Sequence, residues 1–409
     1  MDVIVVGGGI GGLTLALFLH RAGIPCKVYE STPELKALGV GINLLPHATR
    51  ELSKLGLLER LGAVACEPQT RSYFNRWGQR VHTEPAGRSA GYDLPQYSIH
   101  RGDLHRVLFD AVKERLGPDA VITGHRCVRV EQDAGEVVVH FADGPDGRQR
   151  APARGSVAIG CDGIHSAVRR QFYPDEGPPA FAGINMWRGV TRRKPFLGGR
   201  THVRVGTLAT GKMVIYPIRN FPDGTQLINW VAEVQTNVAA KNDWSAAGRL
   251  EDFIGYFANQ TFDWLDIPQL FRDAEMILEY PMVDRDPVAR WSFGRITLLG
   301  DAAHPMYPRG GNGAAQSILD ADALANALVR EPDAEAALLA YEKERLERTA
   351  KIVRTNRSEP PDVVISIVEE RTGGKPFERL EDVISPAELD AALERYRKIA
   401  GADKASVNR

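Results

Sequence analysis

The first thirty residues alternate between apolar runs and a helical stripe. Val3-Ile4-Val5-Val6 is followed by Gly7-Gly8-Gly9-Ile10-Gly11-Gly12, then by Leu13, Leu15, Ala16, Leu17 and Leu19 at helical spacing, then by Lys27-Val28-Tyr29-Glu30. That order predicts strand, glycine turn, helix and strand, the opening unit of a parallel α/β fold. Residues 48–61 and 102–116 carry helical periodicity, and Ser98-Ile99-His100-Arg101 is an extended lead into the second. Val121 to Val130 and Glu136 to Phe141 alternate as a strand pair around the turn Asp133-Ala134-Gly135, Gly144-Pro145-Asp146-Gly147 reads as a loop, and Val157 to Gly160 as a buried strand. From Phe181 to Tyr280 the character changes to strand-like runs at Ile184–Val190, His202–Leu208, Met213–Ile218 and Gln226–Val234, with a helix expected over Leu250–Ala258. This predicts an inserted, mostly antiparallel sheet. Arg295 to Asp301 is again a buried-strand run, and helical pattern from Ala314 to Arg357 returns the chain to its first domain. The expected division is therefore 1–180, an insert over 181–290, a return over 291–358, and a tail over 359–409 with Pro360-Pro361, the run Val363–Val368 and helical stretches near Asp382 and Leu389–Ile399.

Composition narrows the function classes. In 409 residues, 43% hydrophobic and 25% charged positions describe an ordinary globular chain. The 51 Lys and Arg nearly cancel the 52 Asp and Glu, so no global field draws the protein to nucleic acid or an anionic membrane. Cys26, Cys66, Cys127 and Cys161 form no Cys-x-x-Cys pair and have no histidine cluster at ligand spacing, so neither a zinc site nor a disulfide framework is indicated and a reducing compartment is expected. The chain passes from Met1-Asp2 directly into an apolar strand, and no apolar run reaches the ~18 residues of a membrane span. A cytoplasmic protein, monomer or homodimer, with no metal, nucleic-acid or membrane partner, is expected.

Gly7-x-Gly9-x-x-Gly12 lies between a strand and a helix, the context in which glycines turn the chain, admit a pyrophosphate to backbone N–H groups and pack helix on strand. Glu30, ending the second strand, is placed to accept hydrogen bonds from an adenosine ribose. This pattern alone fits NAD or FAD. Two further segments, Gly160-Cys161-Asp162-Gly163-Ile164-His165-Ser166 and Gly300-Asp301-Ala302-Ala303-His304-Pro305, each put an Asp beside a glycine at the end of an apolar strand.

The three motifs in this order resemble the single-component flavoprotein aromatic hydroxylases, the para-hydroxybenzoate and salicylate hydroxylase group, over nearly the whole chain to about residue 357. Gly39-Val40-Gly41-Ile42-Asn43, Pro95-Gln96-Tyr97-Ser98-Ile99-His100-Arg101-Gly102, Met186-Trp187-Arg188-Gly189-Val190-Thr191, Tyr280-Pro281-Met282-Val283-Asp284-Arg285-Asp286-Pro287 and Met306-Tyr307-Pro308 are most similar to its phenazine-modifying branch, the methylphenazine-carboxylate monooxygenases. The resemblance implies a Rossmann-like FAD-binding domain with an inserted antiparallel substrate domain and C-terminal helices. It implies non-covalent FAD, reduced by NADH or NADPH, with O2 and a small aromatic molecule as the other reactants. Asp301 is then expected at the ribityl chain, Asp162 at the diphosphate region with Arg169 as its charge partner, Arg101 at the diphosphate, and Gly41-Ile42-Asn43 beside the isoalloxazine ring. Pro308, Gly311, Asn312 and Gly313 open a helix whose free N–H groups would face the flavin edge that becomes negative on reduction.

For the substrate, the insert is expected to supply Trp187, Arg188, Tyr216 and Trp230, and the loop at the flavin Met306 and Tyr307. Arg188 and Arg309 are candidate partners for a substrate carboxylate, with a surface position the other expectation for Arg309. The activity implied is hydroxylation of an electron-rich aromatic or N-heteroaromatic ring, with or without decarboxylation. A flavin-dependent reductase on the same scaffold, using no oxygen, is the alternative.

Overall fold

The computed structural model describes residues 1–34, 39–143, 147–236, 246–358, 362–399 and 404–408. The expected loop at Gly144-Pro145-Asp146 and the prolines at 360 and 361 lie outside the described residues. The amino-terminal pattern forms as expected: Val3–Val6, helix Ile10–Arg21, and Cys26–Tyr29. Val3–Val6 is the centre of a five-stranded sheet in the order Ile296–Leu298, Val157–Gly160, Val3–Val6, Cys26–Tyr29, Val121–Ile122, every pair parallel. All four residues of Val3–Val6 are buried, which is why the strand reads as a continuous apolar run. Helix Ile10–Arg21 packs between Arg101–Leu116 and Asn312–Arg330 over this sheet.

The second layer is a seven-stranded sheet in the order Met276–Asp284, Ala180–Arg193, Gln226–Gln235, Lys212–Asn220, Thr201–Val205, Thr70–Phe74, Arg80–Pro85. Its first five strands are the expected insert. Its last two come from the segment assigned to the first domain, and Thr201–Val205 pairs parallel with Thr70–Phe74. The boundary expected at residue 181 is therefore corrected: the sheet recruits residues 70–85 through a parallel pairing that no hairpin signal announces. The helix expected over 250–258 is also corrected. Phe253 and Phe257 are both fully buried, which mimics helical spacing, but the segment is two short 3-10 turns broken at Phe253.

Side-chain parity in this sheet decides which residues can meet a ligand. Arg188 lies opposite Val231, Val231 opposite Val214, and Val214 opposite Arg204. These residues line the cavity described below. The intervening residues Trp187, Trp230, Met213 and Val203 face the other way, into a core with Phe253, Phe257 and Phe271.

The tail is part of this architecture. Helices Val363–Thr372 and Pro386–Ile399 pack on the sheet edge, burying Val364, Ile365, Val368, Leu389 and Leu393 against Tyr73 and Val81.

Candidate functional site

A single cavity of about 1180 Å³ runs from the glycine turn of the parallel sheet to the polar face of the seven-stranded sheet. This is larger than the ~300–1,000 Å³ that one small ligand usually occupies. At its first end Gly7 has φ +107°, a left-handed conformation open to glycine, and a Cβ there would fall on the Cys161 carbonyl. A Cβ on Gly12 would fall on the Gly7 carbonyl oxygen, whereas one on Gly9 would meet nothing within 4 Å. Glu30 accepts from the Gly8 N–H at 2.7 Å and the Thr32 N–H at 2.8 Å, so this carboxylate fixes the turn as well as facing the cavity. His105 completes the arrangement with its Nε2 2.7 Å from the Gly8 carbonyl.

In the middle of the cavity, Arg101 opens its helix and Asp301 ends the return strand, and neither side chain has a hydrogen bond to another described residue. Burial lowers the Arg101 pKa, opposed by Asp301 and reinforced by Arg188, and burial raises that of Asp301, opposed by His304 and Arg101. Gly311 precedes the 19-residue helix Asn312–Arg330, and Pro308 and Gly311–Gly313 all line the cavity. The first N–H groups of that helix thus point into the same space as Asp301.

A buried network fixes the Gly300-Asp301 turn from behind. Asp320 Oδ2 accepts from Gly300 N–H at 3.2 Å and lies 2.5 Å from His304 Nε2, while Oδ1 accepts from Arg345 Nε at 2.7 Å. Burial pushes the Asp320 pKa up, but His304 and Arg345 outweigh it and hold the group below 3.8. Its stabilising charge is therefore present above the ordinary carboxylate pKa and is lost as pH falls through the lower folded value. Asp320→Asn leaves the buried Arg345 without its counter-ion, its remaining hydrogen bond being to Gln316, and chemical denaturation should show a loss of about 3–5 kcal/mol; a loss under 1 kcal/mol would contradict this role.

At the second end, Tyr216 stacks on His202 with centroids 4.9 Å apart and planes 8° from parallel. Arg188 donates to the Gly41 carbonyl at 3.1 Å, and Asn229 Oδ1 accepts from the Gly41 N–H at 2.6 Å. The steric demand for glycine at position 41 comes from the sheet: a Cβ would lie 2.7 Å from the Asn229 side chain. Met186, Val231 and Tyr280 add apolar lining, and Met306 and Pro308 close the side nearest Asp301.

Known proteins share the sequence and the fold that build this site. Residues 1–356 match the family model described as FAD binding domain. A phenazine 1,6-dicarboxylic acid hydroxylase from Lysobacter antibioticus is 44% identical over 362 residues, covering 87% of this chain and 89% of that protein. A 3-amino-4-hydroxybenzoate 2-monooxygenase from Streptomyces platensis is 36% identical, covering 87% and 86%. Among solved structures, Klebsiella pneumoniae HpxO complexed with FAD and uric acid superposes with a TM-score of 0.75 at 25% identity, covering 100% of this chain and 96% of that one. The chain belongs to the single-component FAD-dependent aromatic hydroxylases.

The residues fit the FAD that this hydroxylase family binds. Gly9 leaves open space at the start of a helix, and Arg101 and Asp301 face the cavity without protein partners, a planar cationic fork and an acceptor suited to a diphosphate and a polyol. Asp162 lines the same cavity, but its carboxylate accepts from Ser166 Oγ at 2.5 Å and the Ala167 N–H at 2.7 Å, so it also caps helix Ala167–Phe172. Arg169, expected as its partner, instead pairs with Glu176 at 2.9 Å and donates to the carbonyls of Ala302 and Ala303. That correction makes Arg169 a brace between the two Asp motifs.

Three substrate expectations are corrected. Trp187 and Trp230 lie on the far face of the sheet: Trp187 stacks on Phe253, and Trp230 Nε1 donates to Thr191 Oγ1 at 3.0 Å. Tyr307 packs into the apolar cluster of Met186, Ile218 and Tyr280 and does not line the cavity. The expected surface position of Arg309 is also corrected: it is 6% exposed, donating to the Asn356 carbonyl at 2.9 Å. Trp230→Phe should therefore lower stability by about 2 kcal/mol in thermal unfolding yet leave substrate affinity within about twofold; a tenfold change in affinity would place Trp230 at the substrate after all. Sequence reasoning missed Asn229, His202, Arg204, Lys212 and Glu233, all residues whose role depends on sheet register; cross-strand parity was the available signal.

Proposed function

We propose that this chain hydroxylates an electron-rich aromatic or N-heteroaromatic acid using NAD(P)H and O2. The observation that carries the reading is the single cavity joining the glycine turn, the helix start at Gly311 and an amphipathic sheet face. In it, the Gly7–Gly12 turn, Glu30 and Arg101 would hold the adenosine and diphosphate parts of FAD, with Asp162 beside them. Asp301 would hold the ribityl chain, and Gly311, Asn312 and Gly313 the ring edge. The chemistry supplied by the bound cofactor is two-electron reduction by the nicotinamide nucleotide and activation of O2 for transfer of one oxygen atom to the ring.

The protein's own tasks follow from its residues. Arg188 has no ion-pair partner among the described residues and would anchor the substrate carboxylate. Burial raises the Tyr216 pKa, against the influence of Arg188, so its hydroxyl stays protonated and can orient a polar ring substituent. Met186, Val214, Val231, Tyr280 and Met306 shape the apolar walls that exclude water from the reacting face. Backbone N–H groups at the Gly311–Gly313 helix start would hold the cofactor's ring edge and favour negative charge there. Where the attacked carbon carries the carboxylate, restoring aromaticity releases CO2, so regiochemistry and CO2 yield are a single measurement.

The test is nucleotide oxidation by FAD-loaded protein with NADH and NADPH, with and without phenazine-1-carboxylate and hydroxybenzoates. Acceleration by an aromatic acid, with one hydroxylated product per nucleotide consumed, is expected. Oxidation indifferent to every aromatic acid would contradict the proposal.

A further inference from the structure

Beyond Tyr216 the cavity ends in buried charges that neither cofactor nor carboxylate anchoring explains. Lys212 Nζ lies 2.9 Å from Glu233 Oε2 and 3.0 Å from Asp362 Oδ2, and Arg204 donates to Asp362 Oδ1 at 3.3 Å. Arg71 pairs with Glu84 at 2.9 Å beside them. Asp362 comes from the C-terminal tail, at the start of helix Val363–Thr372, and reaches across to two strands of the sheet. Lys212 and Glu233 side chains are 2% and 5% exposed, Arg204 and Asp362 each 9%.

Formal charges at this end cancel: Arg71, Arg204 and Lys212 stand against Glu84, Glu233 and Asp362. The next charges out cancel as well: Arg309 and Arg357 stand against Asp284 and Asp286. Burial works to raise the Asp362 pKa, but Lys212 and Arg204 outweigh it and keep the group ionised below 3.8. His202 is held neutral, its pKa driven well down by burial and by the neighbouring Arg204 and Arg71. Several polar atoms at this end are nonetheless buried without partners: Arg204 Nε, His202 Nδ1 and Gln96 Nε2, all on cavity-lining residues.

The two ends of the substrate compartment thus differ. Arg188 carries an uncompensated charge beside Gly41, whereas Arg204, three strands across in the same cross-strand row, has its charge answered by Asp362. At ~4.8 Å per strand the two Cα atoms stand about 14 Å apart, a span suited to an elongated, fused-ring substrate.

We infer that the far end is a charge-neutral specificity site, set by Asp362 of the tail, which accepts a neutral hydrogen-bonding group on the distal ring and discriminates against a second carboxylate there. The inference rests on the proposed docking of an aromatic acid at Arg188. An ionised carboxylate entering this end must leave water for a site with hydrogen-bond donors but no net positive charge, where Glu233 at the wall and Asp362 behind Lys212 and Arg204 act on it as like charges. A carbonyl, carboxamide or ring nitrogen takes the same donors without that cost.

The experiment is equilibrium binding to the FAD-loaded full chain, read from the flavin absorbance change with no nicotinamide nucleotide present, with phenazine-1-carboxylate and phenazine-1,6-dicarboxylate as probes. The wild type should bind the monocarboxylate at least tenfold more tightly. Asp362→Asn should move that ratio at least tenfold toward the dicarboxylate, and Asp362→Glu should preserve it. If Asp362→Asn does not retain FAD, Glu233→Gln makes the same change of charge from the sheet and should produce the same shift. Equal affinities in the wild type, or an unchanged ratio in whichever neutral variant retains FAD, overturns the inference while leaving the hydroxylase reading intact. Failure of both acids to perturb the flavin overturns the docking at Arg188 and the inference with it.

Discussion

Gly9→Ala is expected to yield a folded protein that purifies without FAD, whereas Gly12→Ala should be damaged in the fold itself. The two glycines sit three residues apart in one turn, yet their surroundings are opposite. A methyl group on Gly9 meets no protein atom within 4 Å and projects into the cavity, where the proposed docking of FAD would put its diphosphate. One on Gly12 collides with the Gly7 carbonyl and sits 3.2 Å from Val5 Cγ1, at the packing of helix Ile10–Arg21 on the central strand. Overpacking of this kind costs about 1–3 kcal/mol, and here the neighbour is backbone that cannot yield. Thermal unfolding of the apoproteins and FAD titration separate the outcomes: Gly9→Ala keeps the apo transition and loses at least tenfold in FAD affinity, while Gly12→Ala unfolds at lower temperature with or without FAD. Equal apo stabilities would contradict the assignment.

The second large effect is expected at Arg188. Arg188→Met keeps the apolar contacts of the side-chain stem while removing the guanidinium and its charge beside Gly41. Truncating one partner of a desolvated charge pair costs about 2–5 kcal/mol, which is ~30-fold or more in Kd. Binding of phenazine-1-carboxylate should weaken by that factor, and binding of the corresponding carboxamide by less than about threefold. Loss of the discrimination between acid and amide is the signature of a carboxylate anchor; an equal weakening of both ligands would mean that Arg188 only shapes the cavity wall.

What sequence could and could not say is visible in these residues. The turn at Gly7–Gly12, the Asp-Gly strand ends and the helix start at Gly311 are local patterns, each complete within a few residues, and their placement around one cavity follows from the parallel strand order. The substrate face was legible only in part, because whether Trp187 or Arg188 meets the ligand depends on which face of the strand is covered. The pairing of Arg188 with Val231 and of Val214 with Arg204 puts these residues on the cavity face, and pairing is a long-range property. Strands Thr70–Phe74 and Arg80–Pro85 joined the seven-stranded sheet by a parallel contact across more than a hundred residues, and Asp362 reached Lys212 from a tail whose apolar run reads, in sequence, as a cap on the substrate pocket or a subunit contact. The aromatic residues misled for a simple reason. Trp187 and Trp230 are large and buried, which a substrate roof and a packed core both require, and only the hydrogen bond from Trp230 to Thr191 and the stack of Trp187 on Phe253 assign them to the core.

The most direct test of the central claim is turnover under oxygen-18 gas. FAD-loaded protein is given NADH or NADPH and the aromatic acid that accelerates nucleotide oxidation, and the product is weighed by mass spectrometry. The account predicts one oxygen-18 atom on the ring for each nucleotide oxidised. A product whose new oxygen comes from water, or a reduced product formed without oxygen uptake, would contradict it.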